Sequence, residues 1–218
     1  MATMAETRAG AWGWERYAPL SGLLAVIGWV VGTGLLDVAE SKEKGPELLA
    51  VYQSDDGQIL AGGIIFLIGT AFFFWFLGSL RSRLLAAEGG DGRLTTIAFA
   101  SGVGTAICLM LLPGPDMAAA ISNEDLDASA SLALATVGDS FFLGAEYLLP
   151  VMLVASGIIA LRYGVLPRWL AWIQFLIALV LLTGFIGWAA LIFAFPIWVL
   201  VVSYLLWRPA PARTTVGP

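Results

Sequence analysis

Glu146 and Asp139 are the residues of this chain whose type and spacing suggest chemistry. Both lie in the run GDSFFLGAEYLLPVML, residues 138–153, which is otherwise mostly apolar. Their separation in sequence is close to two helical turns, so in a helix both carboxylates share one face, about 10 Å apart along the axis. Pro150 has no N–H, so the backbone carbonyl of Glu146 loses its usual helical partner. Side chain and carbonyl therefore form one polar position in an apolar segment.

Two interpretations of Glu146 are open. An ionised carboxylate without a Lys or Arg in the apolar run is unfavourable, so we expect Glu146 to be protonated or to face water. In the functional interpretation, Glu146, Asp139 and Tyr147 line a path for protons, cations or an amine-bearing substrate, and Asp116 joins Asp139 at the outer mouth. In the structural interpretation, a protonated Glu146 donates a hydrogen bond between helices. The candidate hydroxyl acceptors are Thr33, Thr70, Ser101, Thr105, Ser156 and Thr183.

The composition is that of an integral membrane protein. Of 218 residues, 59% are hydrophobic and 12% are charged, against about 25% charged in an ordinary soluble domain. The chain has no His and one Cys, Cys108, which argues against zinc sites, His-ligated haem and Ser-His-Asp triads. We therefore predict no catalytic constellation of these kinds, no metal site and no cofactor. Clustered Lys and Arg are absent, so nucleic acid is not an expected partner.

The apolar runs predict an all-α, polytopic transmembrane helix bundle with six spans over residues 17–207. Runs of about 20 residues match a hydrocarbon core of about 30 Å. Residues 169–207 are too long for one span, and we expect a hairpin there with its turn near residues 184–190. The predicted spans are 17–36, 59–80, 94–113, 139–162, 169–186 and 190–207.

Arginine placement predicts the orientation of the bundle. Under a six-span model, nine arginines fall on one side, while Lys42 and Lys44 fall on the other. The nine are Arg8, Arg16, Arg81, Arg83, Arg93, Arg162, Arg168, Arg208 and Arg213. The positive-inside rule then places the N-terminal segment, 1–16, and the C-terminal tail, 208–218, in the cytoplasm.

The two long outer connections, residues 37–58 and 114–138, are acidic. They are interpreted either as solvated loops or as a region that attracts cations, and neither has the spacing of an EF-hand. Each is expected to hold a short helix. The first begins at Gly45-Pro46, and the second covers Glu124–Val137 with Asn123 as its cap.

Small residues predict where helices pack closely. Gly28 and Gly32 form a small-xxx-small pattern in the first span, and the third span is rich in small residues. Such residues let helix backbones approach, so packing is the main interpretation and a ligand groove the alternative. The packing residues of the third span are Ser101, Gly102, Gly104 and Thr105. The aromatic run Phe72–Phe76 is expected to face lipid.

The segment Ala160–Trp172, ALRYGVLPRWLAW, resembles a connection found in uncharacterised six-span bacterial membrane proteins of about 200 residues. An Arg, a short turn and then Leu-Pro-Arg-Trp-Leu open the next helix in those proteins. The resemblance implies a helix bundle in the cytoplasmic (inner) membrane of a bacterium, and it implies no particular activity. Pro167 suits the start of a helix, and Arg162 and Arg168 suit anionic head groups.

Three functions fit these patterns. The first is a non-catalytic membrane module that binds a membrane-protein or lipid partner, or a second copy of itself, within the lipid bilayer. The second is a small proton- or cation-linked transporter that uses Glu146 and Asp139. The third is an intramembrane enzyme with the same two carboxylates as an acid–base pair, which the scarcity of other polar groups disfavours.

Overall fold

The computed structural model describes residues 17–40, 45–184 and 186–208, except for the side chains of 37–40. In this part of the chain all regular structure is helical, which confirms the all-α prediction. The predicted cytoplasmic segment 1–16, the tail from residue 209, and Lys42 and Lys44 lie outside the described residues.

Eight helices follow one another along the described chain, and a short 3-10 turn, Ala18–Leu20, precedes the first. The last helix contains a π-helical segment, Ala190–Ala194. The helices are α1 (Ser21–Glu40), α2 (Gly45–Ser54), α3 (Asp56–Glu88), α4 (Arg93–Leu111), α5 (Gly114–Ile121), α6 (Ala128–Tyr163), α7 (Arg168–Leu181) and α8 (Gly187–Trp207).

Five stretches of the described chain are long and apolar enough to cross a membrane. They are Ala18–Leu36, Asp56–Glu88, Arg93–Ile121, Ala128–Tyr163 and Gly187–Trp207. The remaining apolar helix, α7, has 14 residues, or about 21 Å of rise, which is short for a core of about 30 Å. Where the sequence predicted six spans, the structure therefore has five long apolar helices and one shorter one.

Helix α6 differs most from its predicted form. The sequence suggested a separate helix, Glu124–Val137, followed by a span at 139–162, but the structure has one continuous helix of 36 residues. Asp127 caps this helix by accepting a hydrogen bond from the backbone N–H of Ala130 at 2.7 Å. The expected cap, Asn123, instead donates its side-chain amide to the carbonyl of Tyr52. Gly138 does not break the helix, because one glycine costs only about 1 kcal/mol relative to alanine.

The turn between α7 and α8 comes earlier than expected. Helix α7 ends at Leu181 and α8 begins at Gly187, whereas the sequence placed the turn near 184–190. Gly184 has a φ of 66°, which favours glycine. Thr183 donates its hydroxyl to the carbonyl of Val180 at 2.6 Å and so satisfies one of the free carbonyls at the end of α7.

Glycines bring α1 and α3 into close contact. A Cβ placed on Gly28 would lie 2.5 Å from the Cα of Gly69, and one on Gly32 would lie 2.7 Å from the Cβ of Phe66. Helix α4 packs between α3 and α6. There, Gly102 faces Leu77 and Met152, where an added Cβ would again be too close.

The buried hydroxyls of α4 bond within their own helix. Ser101 donates to the carbonyl of Ile97 at 2.6 Å, and Thr105 donates to that of Ser101 at 3.0 Å. Gly104, also on α4, faces Leu148 of α6. The four small residues singled out in the sequence thus lie on a helix packed against two neighbours. Among the described hydrogen bonds, the hydroxyls of Ser101 and Thr105 stay within α4.

An aromatic cluster joins α1, α3 and α8. The Trp29 ring centroid lies 5.1 Å from that of Phe73 and 5.6 Å from that of Phe195. The Trp29 indole N–H donates to the hydroxyl of Thr70 at 2.9 Å. The prediction that the run 72–76 faces lipid is therefore wrong for Phe73 and Phe76, which are fully buried. Trp75 is 58% exposed and does lie on the surface.

We expect Gly28→Ala to destabilise the fold by about 1–3 kcal/mol, because the new methyl group overlaps the backbone of α3. Gly34→Ala is the matched control, since a Cβ at Gly34 meets nothing within 4 Å. Thermal unfolding in detergent measures the difference. Equal melting temperatures for the two variants would contradict the close contact of α1 with α3.

Candidate functional site

A cavity of about 520 Å³ lies at the end of the bundle that carries α2 and α5. Its wall combines two carboxylates, a phenol and two threonines with apolar side chains, and no Lys or Arg is among the described residues that line it. The lining residues that carry the following argument are Thr33, Tyr52, Phe66, Asp116, Asp139 and Phe142. We call this space the outer cavity.

The two acids of the outer cavity come from different helices. Asp116 lies in the first turn of α5, where Pro113 is the N-cap residue and Pro115 occupies an early helical position. Asp139 lies on α6 and is exposed. The sequence suggested that Asp116 joins Asp139 near a common mouth, and the structure places both in the wall of one cavity.

Tyr52 holds Asp116 in place. Its hydroxyl donates a hydrogen bond to Oδ1 of Asp116 at 2.6 Å, and its ring is fully buried. Burial, together with the bond to the Asp116 carboxylate, raises the pKa of Tyr52 above its ordinary value. The phenol is therefore a neutral donor throughout the physiological range. One oxygen of Asp116 is engaged by this bond, and Asp139 has no such partner among the described hydrogen bonds.

Apolar packing and amide hydrogen bonds fix α2 and α5 over this end of the bundle. Leu36, Leu48, Tyr52, Ile59 and Ala119 belong to one buried cluster. The Asn123 side chain donates to the Tyr52 carbonyl at 3.2 Å, and Gln53 donates to the Asn123 carbonyl at 3.2 Å. Helices α2 and α5, which belong to the two connections that the sequence described as acidic, thus form a packed cap that positions the acids.

Glu146 lies outside the outer cavity wall, in a separate buried contact. Its side chain is 3% exposed, and Oε1 has no hydrogen-bond partner. The carboxyl packs onto Gly187, the first residue of α8: a Cβ added there would lie 1.7 Å from Oε1. Only glycine leaves room for this carboxyl.

None of the hydroxyls expected as partners of Glu146 bonds to it among the described hydrogen bonds. Those of Thr70, Ser101, Thr105, Ser156 and Thr183 each donate to a carbonyl of their own chain segment. Thr33 lines the outer cavity instead. Serine and threonine in helices commonly bond back to the preceding turn, which removes them as partners for a distant acid.

The predicted site residues therefore fall into three places. Asp116 and Asp139 share the outer cavity, while Glu146 lies in the buried contact with α8. Tyr147 is 52% exposed and lines neither. Phe142, one turn before Glu146 on α6, is the residue of that helix nearest to Glu146 that lines the cavity.

Sequence reasoning missed two polar residues. Tyr52 is the anchor of Asp116, and the only signal for it was its place four residues after Leu48 on the apolar face of a short helix. Gln174 is fully buried on α7, donates to the Ser156 hydroxyl at 3.3 Å, and leaves its Oε1 without a partner. A lone amide in an apolar run was the available signal for Gln174.

Within the described residues, no group of three or more His, Cys, Asp or Glu is placed to hold a metal ion. Calcium takes six to eight oxygen ligands, and the outer cavity offers two carboxylates, one of which is already bonded to Tyr52. The wall suits a cation that needs a counter-charge and apolar contact rather than a full coordination shell.

We expect Tyr52→Phe to cost about 1–2 kcal/mol, because Asp116 loses its buried donor. The Tyr52 pKa is raised in the folded state, so its contribution to stability is complete below the ordinary tyrosine value of about 10 and declines above it. Unfolding followed between about pH 8 and pH 11 should show a smaller alkaline loss in the variant. Tyr163→Phe, at an exposed position, is the control, and an unchanged alkaline slope in Tyr52→Phe would refute this role.

Comparison with known proteins returns no match. No family model matches the chain, and the searches of curated proteins and of solved structures found no match either.

Proposed function

We propose that the chain is an integral membrane protein that crosses the bilayer six times with both termini in the cytoplasm of a bacterium. The arginine distribution supports this orientation. Arg83 and Arg93 lie near the α3–α4 connection, Arg162 and Arg168 lie beside the α6–α7 connection, and Arg208 follows α8. These places fall on one side if α7 and α8 form a hairpin across the membrane. The acidic outer cavity then opens on the opposite face.

The outer cavity is proposed to bind a small organic cation, so that the chain is a non-catalytic binding module of the membrane. Asp116 and Asp139 in one wall are the observation that carries this proposal. Phe66 and Phe142 supply aromatic surface for the apolar part of an ammonium ligand. The volume of about 520 Å³ falls within the range of about 300–1,000 Å³ of small-molecule sites. A small cation thus fits better than the lipid or protein partner that the sequence suggested.

The enzyme hypothesis receives no support from the geometry. An acid–base pair must reach one substrate position within about 3 Å of each group. Asp139 faces the outer cavity, whereas Glu146 is buried against Gly187 and does not line that cavity. The two carboxylates therefore do not converge on a common position.

We expect choline to bind the purified protein in nanodiscs, with affinity that falls at least about tenfold in Asp139→Asn, because the counter-charge is lost. Asp116→Asn should weaken binding as well. Isothermal titration calorimetry provides the measurement, with the uncharged carbon isostere dimethylbutanol as the ligand control. Asp125→Asn is the protein control, since Asp125 is exposed and lies outside the cavity wall.

Either of two results would overturn the cation proposal. One is equal binding of choline and its uncharged isostere, and the other is an equal loss of affinity in Asp125→Asn. Folding of each variant is checked by gel filtration and circular dichroism.

The orientation has its own test. Fusion of a reporter that is active only in the cytoplasm, after residue 218 or within residues 89–92, should give signal in both cases. Fusion within residues 122–126 should give none. If the reporter were inactive after residue 218 but active within residues 89–92, the chain would cross the membrane an odd number of times after α3.

A further inference from the structure

Glu146, which packs against Gly187, is a buried acid, and no described residue supplies a charge to balance it. The carboxyl is 3% exposed and Oε1 has no donor. The N–H groups in the first turn of α8 do not satisfy that oxygen. An isolated ionised carboxylate in such surroundings is unfavourable, so the closed contact favours the neutral acid.

The groups that titrate near Glu146 do not compensate it. Of the helices packed against α6, α4 carries Arg93 and Cys108, α5 carries Asp116, and α2 carries Glu47 and Tyr52. Helix α6 itself carries Asp139, Tyr147, Arg162 and Tyr163. The charged groups of α3 lie in its first turn and its last two turns, and that of α7 is its first residue, Arg168. Helix α8 has no charged group, and its titratable group is Tyr204. Among the described residues, none of these forms a hydrogen bond with Glu146, and no Lys or Arg faces it.

The two helix segments that meet at Glu146, one on α6 and one on α8, both depart from regular α-helical hydrogen bonding. On α6, Pro150 leaves the Glu146 carbonyl without its helical N–H donor. On α8, the π-helical segment Ala190–Ala194 follows Gly187 almost directly, and Phe195 donates its N–H to the carbonyl of Ala190. Single π-helical turns within α-helices are frequent at functional sites.

The same two segments form part of the outer cavity wall. Phe142 lies one turn before Glu146 on α6, and Ile192 lies within the π-helical segment of α8. Phe142 and Ile192 thus connect the Glu146 contact to the cavity wall, one through each helix.

We propose that Glu146 is a proton-binding site that controls this wall: the protonated acid holds the first turn of α8 against α6, and release of the proton opens the contact to the cavity. The O–H bond of the carboxylic acid breaks, and the proton passes to water in the cavity. Water then solvates the carboxylate that remains. This inference rests on the proposed cation-binding role of the outer cavity and names the proton as the ion that regulates its wall.

The test measures thiol accessibility beside Glu146 and needs no ligand. Ala190→Cys, made in a Cys108→Ala background, places a thiol three residues after Gly187, at a position now 6% exposed. Val137→Cys in the same background is the reference, since Val137 is 45% exposed and lies on α6 outside the cavity wall. The quantity measured is the ratio of the two labelling rates with a charged methanethiosulfonate. Taking this ratio cancels the general rise of thiol reactivity with pH.

We expect this ratio to rise about tenfold between about pH 5 and pH 9 with Glu146 present, and to stay low throughout in Glu146→Gln, which mimics the protonated acid. A flat ratio with Glu146, or an equal rise in Glu146→Gln, overturns the proposal. Infrared difference spectra of the carboxylic acid band, compared with Glu146→Gln, identify the group that loses the proton.

Gly187→Ala is an independent check if Glu146→Gln does not fold. The added methyl group occupies the place of Oε1, so the labelling ratio should already be high at about pH 5. A low ratio in this variant also overturns the proposal. Because labelling involves no ligand, failure of choline to bind leaves this result intact, and the two proposals can fail separately.

Discussion

The close approach of α1 and α3 at Gly28 and Gly69 is the constraint on which the other contacts depend. Helix association within lipid gains little from hydrophobic burial, so van der Waals contact between backbones supplies much of it. Glycine at both positions lets the helices come close enough for Trp29 to reach Phe73 and Thr70. That indole–aromatic cluster then fixes α8 through Phe195, and with it the wall of the outer cavity.

The outer cavity exists because the ends of the bundle are built differently. Toward the arginine-rich end the long helices pack against one another, whereas at the other end the short helices α2 and α5 cover them. Short helices cannot fill the space between long ones, and the bond from Tyr52 to Asp116 turns a carboxylate inward. A polar space within a largely apolar chain is the consequence.

Several features of the site were predictable, and the reasons differ for each. Asp116 and Asp139 were expected near one mouth, because Asp116 follows one predicted span and Asp139 begins the next. Both therefore lie on the same predicted side. Glu146 was recognised because an acid within an apolar run is unusual at any position. The partner of its carboxyl, Gly187, could not be predicted, because a glycine carries no chemical signal and the contact joins residues 41 positions apart.

The sequence by itself determined the all-α class, the apolar character of the helices and most of their centres, because these follow from local composition and periodicity. It also indicated close packing along α1 and α4 from their small residues. The tertiary structure alone decided that α6 is continuous, that Phe73 and Phe76 are buried, and that Glu146 lies apart from Asp139. Each of these depends on which helices are neighbours and how they are rotated, and that is set by contacts between residues far apart in the chain.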